Sequence, residues 1–388
     1  MKVFVVNAGS SSLKFQVFEM PKEEVLVSGL VERIGEKESF IEIKLNGQKI
    51  RKDVYLKTHL EGVEAAVEFL IVNGVIKNKK EIEAVGHRVV FGGAKNTQTK
   101  KIDAEILSQE KELSKVAPLH IPGSFMGIRA CTETFGKENY AVFDTAFHRD
   151  IPEKAYMYPI KYEDYENLGY RKYGYHGISH QYVSEVAITK YGGKKIISCH
   201  LGSGASIAAI DNGKCVETSM GYTPLDGLIM GTRTGAIDAS VALNLMRAKG
   251  MTVDEVLNYL NKECGLKGIF GKNDFRDIEA AMETDKKARL AQDMFCYRVA
   301  QFIGSYAASM NGVDTIVFTA GVGERGIMQR TEIAKYLGFL GAYMNEEANK
   351  ACFAKEGIIS TKDSKVQMLV IPTNEELVIA REVYRLKK

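Results

Sequence analysis

Two segments of this chain repeat one pattern. Val5-Val6-Asn7-Ala8-Gly9-Ser10-Ser11-Ser12 and Ser198-Cys199-His200-Leu201-Gly202-Ser203-Gly204-Ala205-Ser206 each leave an apolar strand through a polar residue. Each then enters a Gly/Ser turn and continues into a second apolar strand. Gly9 and Gly202 stand half the length of the 388-residue chain apart. Two such hairpins arise by coincidence, or they mark two similar α/β domains with one anion-binding turn each. Small residues in such a turn let several backbone N–H groups converge on an anion. At roughly 100–200 residues per domain the length suits two domains.

Alternation of apolar and polar residues predicts strands at 3–6 and 13–18, where Leu13, Phe15 and Val17 alternate with Lys14 and Gln16. Further strands are expected at 24–30, 39–45, 84–90, 140–143, 195–199, 205–210, 315–318 and 366–371. Helical spacing runs through 61–70 and 285–310, the latter with Leu290, Met294, Val299, Phe302, Ile303, Tyr306 and Met310 in step and Gly312 just beyond. The last helix is expected to begin at Thr373, with Thr373 and Glu376 as a capping box. Strands mixed with helices in this order give α/β layers.

With 45% hydrophobic residues and 52 basic against 49 acidic side chains, the chain is neither disordered nor basic enough to argue for nucleic acid as its partner. Cys131, Cys199, Cys215, Cys264, Cys296 and Cys352 form no C-x-x-C and read as reduced, buried thiols. No apolar run nears the ~20 residues of a membrane span. The run at 3–6 is too short for a signal peptide, so the cytoplasm is the expected compartment.

No G-x-x-x-x-G-K-[ST] occurs, and His87-Arg88-Val89 is not a protein-kinase catalytic loop. Gly321-Val322-Gly323-Glu324-Arg325-Gly326 matches G-x-G-x-x-G after an expected strand, the one feature favouring a dinucleotide enzyme. About 20 residues on, however, no second strand presents an acid to a ribose. His87, His120, His148, His176, His180 and His200 all lie in segments dense with Gly, Arg, Asp or Pro. Arg88 and Arg233 are flanked by glycine turns, where a planar guanidinium suits carboxylate or phosphoryl oxygens. Together these point to an anionic site.

Long motifs in one order now carry a resemblance. They are Asn7-Ala8-Gly9-Ser10-Ser11-Ser12-Leu13-Lys14, Gly86-His87-Arg88-Val89-Val90, Phe143-Asp144-Thr145-Ala146-Phe147-His148, Tyr173-Gly174-Tyr175-His176-Gly177-Ile178-Ser179-His180, Met220-Gly221-Tyr222-Thr223-Pro224-Leu225 and Pro372-Thr373-Asn374-Glu375-Glu376-Leu377. Nearly end to end the chain resembles the acetokinase family of the sugar kinase/Hsp70/actin superfamily. The resemblance implies an α/β fold of duplicated ribonuclease H-like (actin-like ATPase) domains with the active site in the cleft between them. It places 1–148 plus 377–388 in an N-terminal domain on the acyl and phosphate side. A C-terminal domain at 149–376 would bind nucleotide and form a homodimer. The implied reaction is reversible transfer of the ATP γ-phosphoryl group to acetate, giving acetyl phosphate and ADP and linking acetate to acetyl-CoA metabolism. Propionate is the alternative acid.

By the same resemblance Arg88 holds the acetate carboxylate, and Val90, Leu119, Tyr175 and Pro224 wall its methyl group. His176 and Arg233 stabilise the transferring phosphoryl. Asp144 matches the family's proton donor or acceptor, although on physical grounds a role in ordering Arg88, metal or water is preferred. Asn7 and Glu375 match a site for Mg2+, with Mn2+ as a substitute. Lys14, His200, Leu201, Gly202, Ser203, Gly204, Asp274, Phe275, Arg276, Gly321, Val322, Gly323, Glu324 and Arg325 match the ATP-binding positions. Ser10, Ser12, His120 and His180 are expected to contribute around the phosphate and acyl region. The chain departs from the family pattern at Ser203, Phe91, Ile121 and Tyr175, which leaves acyl preference open and puts one phosphate contact at Ser203 in doubt.

Overall fold

A computed structural model describes residues 1–118 and 120–388. The chain divides into one unit of Met1–Phe147 with Asn374–Lys388 and another of His148–Thr373. Glu375 and Glu376 therefore join the first unit, a few residues from the expected boundary.

In the first unit Val3, Phe4, Val5 and Val6 are all buried, as a strand covered on both faces requires. They lie in β1 (Lys2–Ala8), which pairs antiparallel with β2 (Ser12–Glu19). β3 (Glu24–Glu32), β4 (Phe40–Leu45) and β5 (Gln48–Asp53) continue the antiparallel meander. On the other side of β1 come β6 (Ile82–Val89), parallel to β1, then β8 (Asn139–Phe143), parallel to β6, and the short β7 (Lys100–Lys101), antiparallel to β8. The sheet order is β5-β4-β3-β2-β1-β6-β8-β7. Phe4, Val6 and Ala8 face a core shared with Val63, Val67 and Leu70 of the helix His59–Val72 and with Ala130, Cys131 and Phe135 of the helix Ile121–Phe135. On the opposite face Ile379 and Val383 of the helix Glu375–Lys387 lie against Gly86.

The second unit repeats this plan. β9 (Lys195–Leu201), β10 (Ala205–Asp211) and β11 (Lys214–Thr218) form an antiparallel meander. β12 (Thr315–Thr319) and β14 (Gln367–Val370) follow in parallel, with β13 (Gly357–Ile358) at the edge. The order β11-β10-β9-β12-β14 reproduces β3-β2-β1-β6-β8 in direction and connectivity. The repeated hairpin of the sequence is thus part of a repeated sheet, and the chain is a duplicated α/β fold.

The expected capping box at Thr373 does not form. Asn374 caps the last helix by accepting from the Leu377 amide, while Thr373 Oγ1 accepts from the Ser179 hydroxyl at 2.8 Å. Asn closes this cap as readily as Thr, which frees Thr373 for that bond.

One buried histidine in each unit carries a consequence for pH. His87 Nε2 donates to Asn139 Oδ1 at 2.7 Å, and His148 Nε2 donates to the Tyr175 carbonyl at 2.9 Å. Burial holds each ring down to about 4 from an ordinary 6.5. The unfolded chain takes up these protons near the ordinary value and the folded chain does not, so stability falls as pH drops through that window. The expected loss is about 1.4 kcal/mol per pH unit for each ring. Urea unfolding at pH 7 and pH 5 measures it, and an unchanged midpoint would contradict neutral, buried rings.

Candidate active site

In the first unit the carboxyl ends of three parallel strands carry the polar residues. Asn7 lies near the end of β1, Arg88 near the end of β6, and Asp144 directly after β8. Such strand ends are where open α/β sheets bind ligands. Arg88 grips Asp144 with two bonds, Nη2 to Oδ2 at 2.7 Å and Nε to Oδ1 at 3.3 Å. Asp144 is buried. Glu375, at the first position of its helix, sets Oε2 3.3 Å from Arg88 Nε. Burial opposes the charge on Arg88, but Asp144, Glu375 and Glu376 outweigh it and hold the guanidinium well above its ordinary pKa. Two carboxylates against one guanidinium leave an excess of negative charge, and the Asn7 amide oxygen and Glu375 carboxylate are hard donors. That set fits magnesium, which keeps several waters and asks little of the protein. Among the described residues no cluster of three or more His, Cys, Asp or Glu could hold an ion unaided.

The β1–β2 hairpin is pressed close to the helix Ile121–Phe135. A Cβ at Gly123 would sit 2.6 Å from the Gly9 carbonyl carbon, so only glycine fits there. His120 stands at that helix's N-cap, Ile121 is buried behind it, and Ser10 is exposed in the turn while Ser12 is half-buried. Val90 is half-buried beside Arg88, and Phe91 is in the core. Leu119 lies outside the described residues. Lys14 is exposed and opens on a separate cavity of about 270 Å³ with Lys44, Lys49, Glu42 and Glu376.

In the second unit four serine and threonine hydroxyls fix three imidazoles. His180 binds Ser198 Oγ through Nδ1 and Ser206 Oγ through Nε2, both at 2.8 Å. Ser206 Oγ also meets His176 Nδ1 at 2.9 Å. The His176 ring stacks on His200, centroids 4.1 Å apart, and His200 Nδ1 meets Ser179 Oγ at 2.8 Å, the hydroxyl bonded to Thr373. Burial pushes His180 well below the usual imidazole range, with His148 and His200 adding to the effect. His180 thus serves as a neutral support. His176 itself takes the left-handed backbone at φ 54° that starts the helix Gly177–Tyr191.

Arg233 reaches the same place. A Cβ at Gly204 would lie 3.5 Å from His176 Nε2 and 3.9 Å from Arg233 Nη1, so imidazole, guanidinium and hairpin backbone converge. Arg233 Nη1 donates to the Pro224 carbonyl at 3.2 Å, and no carboxylate pairs with it among the described residues. Burial lowers its pKa. A half-buried cation without a counter-ion, beside a Gly/Ser turn, is a seat for an anion. Tyr175 is buried with its hydroxyl committed to the Tyr222 carbonyl at 2.8 Å.

A cavity of about 610 Å³ opens beside the β9–β10 hairpin. Gly202, Ser203, Asp274, Phe275, Arg276, Gly321, Val322 and Arg325 line it. Of the other expected nucleotide positions, His200 and Leu201 are buried in β9, and Gly204 sits by His176. The Gly323 carbonyl accepts from Arg330 Nη1 at 2.7 Å, and Glu324 Oε1 accepts from the Thr373 amide at 3.3 Å. The cavity also takes in Asn273, Glu279, Gly326, Gln329 and Phe353, which the sequence did not single out. Only Gly326, inside the glycine motif, carried a signal.

The profile of the acetokinase family matches residues 2–381. An acetate kinase from Carboxydothermus hydrogenoformans is 50% identical over 395 residues, covering 100% of this chain and 99% of its own length. Among solved structures, an acetate kinase from Porphyromonas gingivalis is similar at a TM-score of 0.94 and 40% identity, covering 100% of both chains. A propionate kinase from Francisella tularensis is similar at 0.93 and 40% identity, covering 99% of both.

The short helix Ala320–Arg325 that lines the cavity hangs on Arg330, which is fully buried. Its guanidinium donates to Gly323 O, to Asn349 Oδ1 at 2.6 Å and to the Asn349 carbonyl at 3.0 Å. Burial lowers its pKa to about 10. Arg330→Met strips these donors and orphans buried carbonyls, and the expected cost is about 3 kcal/mol in urea unfolding. A loss within ~0.5 kcal/mol, the range of ordinary surface substitutions, would show that this helix does not depend on it.

Proposed function

The chain belongs to the acetokinase family, and from that premise we propose how its residues carry the γ-phosphoryl group of ATP to the carboxylate of acetate, giving acetyl phosphate and ADP. The family activity is phosphoryl transfer to a carboxyl group. Acetate is already ionised at neutral pH, so its attack needs no strong base. It needs alignment and relief of repulsion between two anions.

The observation that carries the reading is the way Arg88 is held. Asp144 occupies the Nε and Nη2 side of the guanidinium, which leaves the Nη1–Nη2 end for a second carboxylate, bidentate in the same way. Arg88 is thus the acetate receptor and Asp144 the residue that aims it. Val90, beside Arg88 in sequence, is assigned to the methyl group, and Tyr175 and Pro224 keep the acyl role that the family motifs give them. Phosphoryl oxygens fall to His176 and Arg233, with the Gly202–Ser203–Gly204 backbone as cradle. Neutral His180, through Ser206, keeps the His176 ring fixed while charge develops. The 610 Å³ cavity takes the nucleoside, and Lys14 is assigned to ATP binding by its place in the family motif alone. Asn7 and Glu375 would hold Mg2+, or Mn2+ in its place, which when bound neutralises phosphate charge.

A homodimer is proposed through the second unit. The helix Ala239–Lys249 has no buried residue and exposes Val241 and Leu243. Val253 and Leu257 of the helix Val253–Lys262 are likewise exposed. A second copy covering this face makes the particle twice the 43.0 kDa chain mass by light scattering. A monomer at micromolar concentration would refute it. No helix among the described residues is long and apolar enough to cross a membrane. The six buried free thiols suit a reducing compartment, and the cytoplasm is the proposed location.

The direct test incubates the protein with Mg-ATP and short carboxylic acids and traps acyl phosphate with hydroxylamine. Acetyl hydroxamate is expected, with propionate the slower acceptor and with loss of product on adding EDTA. No hydroxamate from any acid, despite nucleotide binding, would overturn the reading.

A further inference from the structure

The nucleotide cavity contains a carboxylate that phosphate binding has no use for. Glu279, on the helix Phe275–Ala281, lines it together with Gln329 of the helix Ile327–Ala334. Gln329 is 0% exposed. Its amide nitrogen donates to Glu279 Oε1 at 2.9 Å and to Gln292 Oε1 at 3.0 Å. A carboxylate only accepts, so the Gln329 amide must turn its NH₂ toward Glu279. Its own carbonyl oxygen is left buried with no hydrogen-bond partner. Gln292, buried as well, is held from behind by its Nε2 donating to Cys296 Sγ at 3.5 Å. Glu279 is thus fixed in the cavity wall by a buried amide pair, and its carboxylate retains most of its accepting capacity.

With no cation paired to it among the described residues, the Glu279 carboxylate would repel a polyphosphate, and Gly202 and Ser203 of the hairpin supply the phosphate end of the same cavity. Glu279 therefore belongs to the nucleobase end. Phe353, half-exposed while lining the cavity, offers an apolar face to a flat ring there. An acceptor wall attracts an exocyclic amino group and repels a carbonyl oxygen at the same position. We propose that Glu279, positioned by Gln329, makes the cavity selective for 6-aminopurine over 6-oxopurine nucleotides. The inference rests on the reading of this cavity as the nucleotide site.

The test compares ATP with ITP, which carries a 6-oxo group and is otherwise the same purine nucleotide. The wild type is expected to favour ATP in kcat/KM by about tenfold or more, the scale of one hydrogen bond to a charged group. In Glu279→Gln, whose amide also donates, the ratio collapses to within about threefold, with a higher KM for ATP and a lower one for ITP. KM for acetate stays put. Gln329→Leu, which frees the carboxylate from its orienting amide, lowers the ratio too. An ATP-to-ITP ratio unchanged in both variants would overturn the proposal, as would a wild type that does not discriminate. Calorimetric titration with ADP and IDP reads the same selectivity without turnover. A wild type that discriminates between the diphosphates but makes no acyl phosphate would contradict the kinase reading and leave this one standing.

Discussion

A carboxylate as buried as Asp144 cannot stand in a protein without a cation against it, and Arg88 is that cation. Much of the acceptor chemistry follows from this one pair. Two of the guanidinium's donor positions are spent on Asp144, so the group cannot rotate, and its remaining edge is offered in one direction. Glu375 adds a second acid beside the pair. A hard cation held by the oxygens of Asn7 and Glu375 would offset the charge of these two acids. In the proposed function, the orientation of the carboxylate receptor and the seat for a metal both follow from this one buried ion pair.

The duplicated sheet explains how two different chemistries grew on one plan. Asn7 and His200 occupy the same place in the repeated pattern, one residue from the end of the first strand of each unit. In the first unit that residue is an amide, Asn7, at the strand end next to the one that carries Arg88. In the second it is an imidazole stacked on His176 and fixed by Ser179. The frame supplies strand ends and a Gly/Ser hairpin in both. In the proposed function the side chains decide whether that frame receives a carboxylate and cation or a phosphoryl group.

How much of this was legible in the sequence depends on range. Strands whose alternation is local, such as Leu13, Phe15 and Val17 in β2, declared themselves, and the half-chain echo proved to be a repeated sheet. The helix Ile121–Phe135 did not stand out because Gly123 and Gly127 interrupt its apolar periodicity. They are there for close packing against Gly9 and Ala8, a long-range demand. The capping box expected at Thr373 does not form, because Asn374 is an equally good cap, with Leu377 three residues on, and Thr373 has a distant partner in Ser179. At the site, motif-borne residues such as Arg88, Asp144 and Glu375 come together, as do His176, Arg233 and Gly204. Glu279 and Gln329 were invisible, since an acid and an amide fifty positions apart carry no local signal. Only the fold sets one against the other.

The central claim is that Arg88 receives the carboxylate while nucleotide binding is a separate task of other residues. Arg88→Ala, assayed for acetate KM and titrated with ADP by calorimetry, tests it most directly. Acetate KM is expected to rise by about a hundredfold or more, the cost of a lost charge-assisted bidentate grip, with ADP affinity unchanged. Equal loss of both, or an acetate KM that does not move, would contradict it.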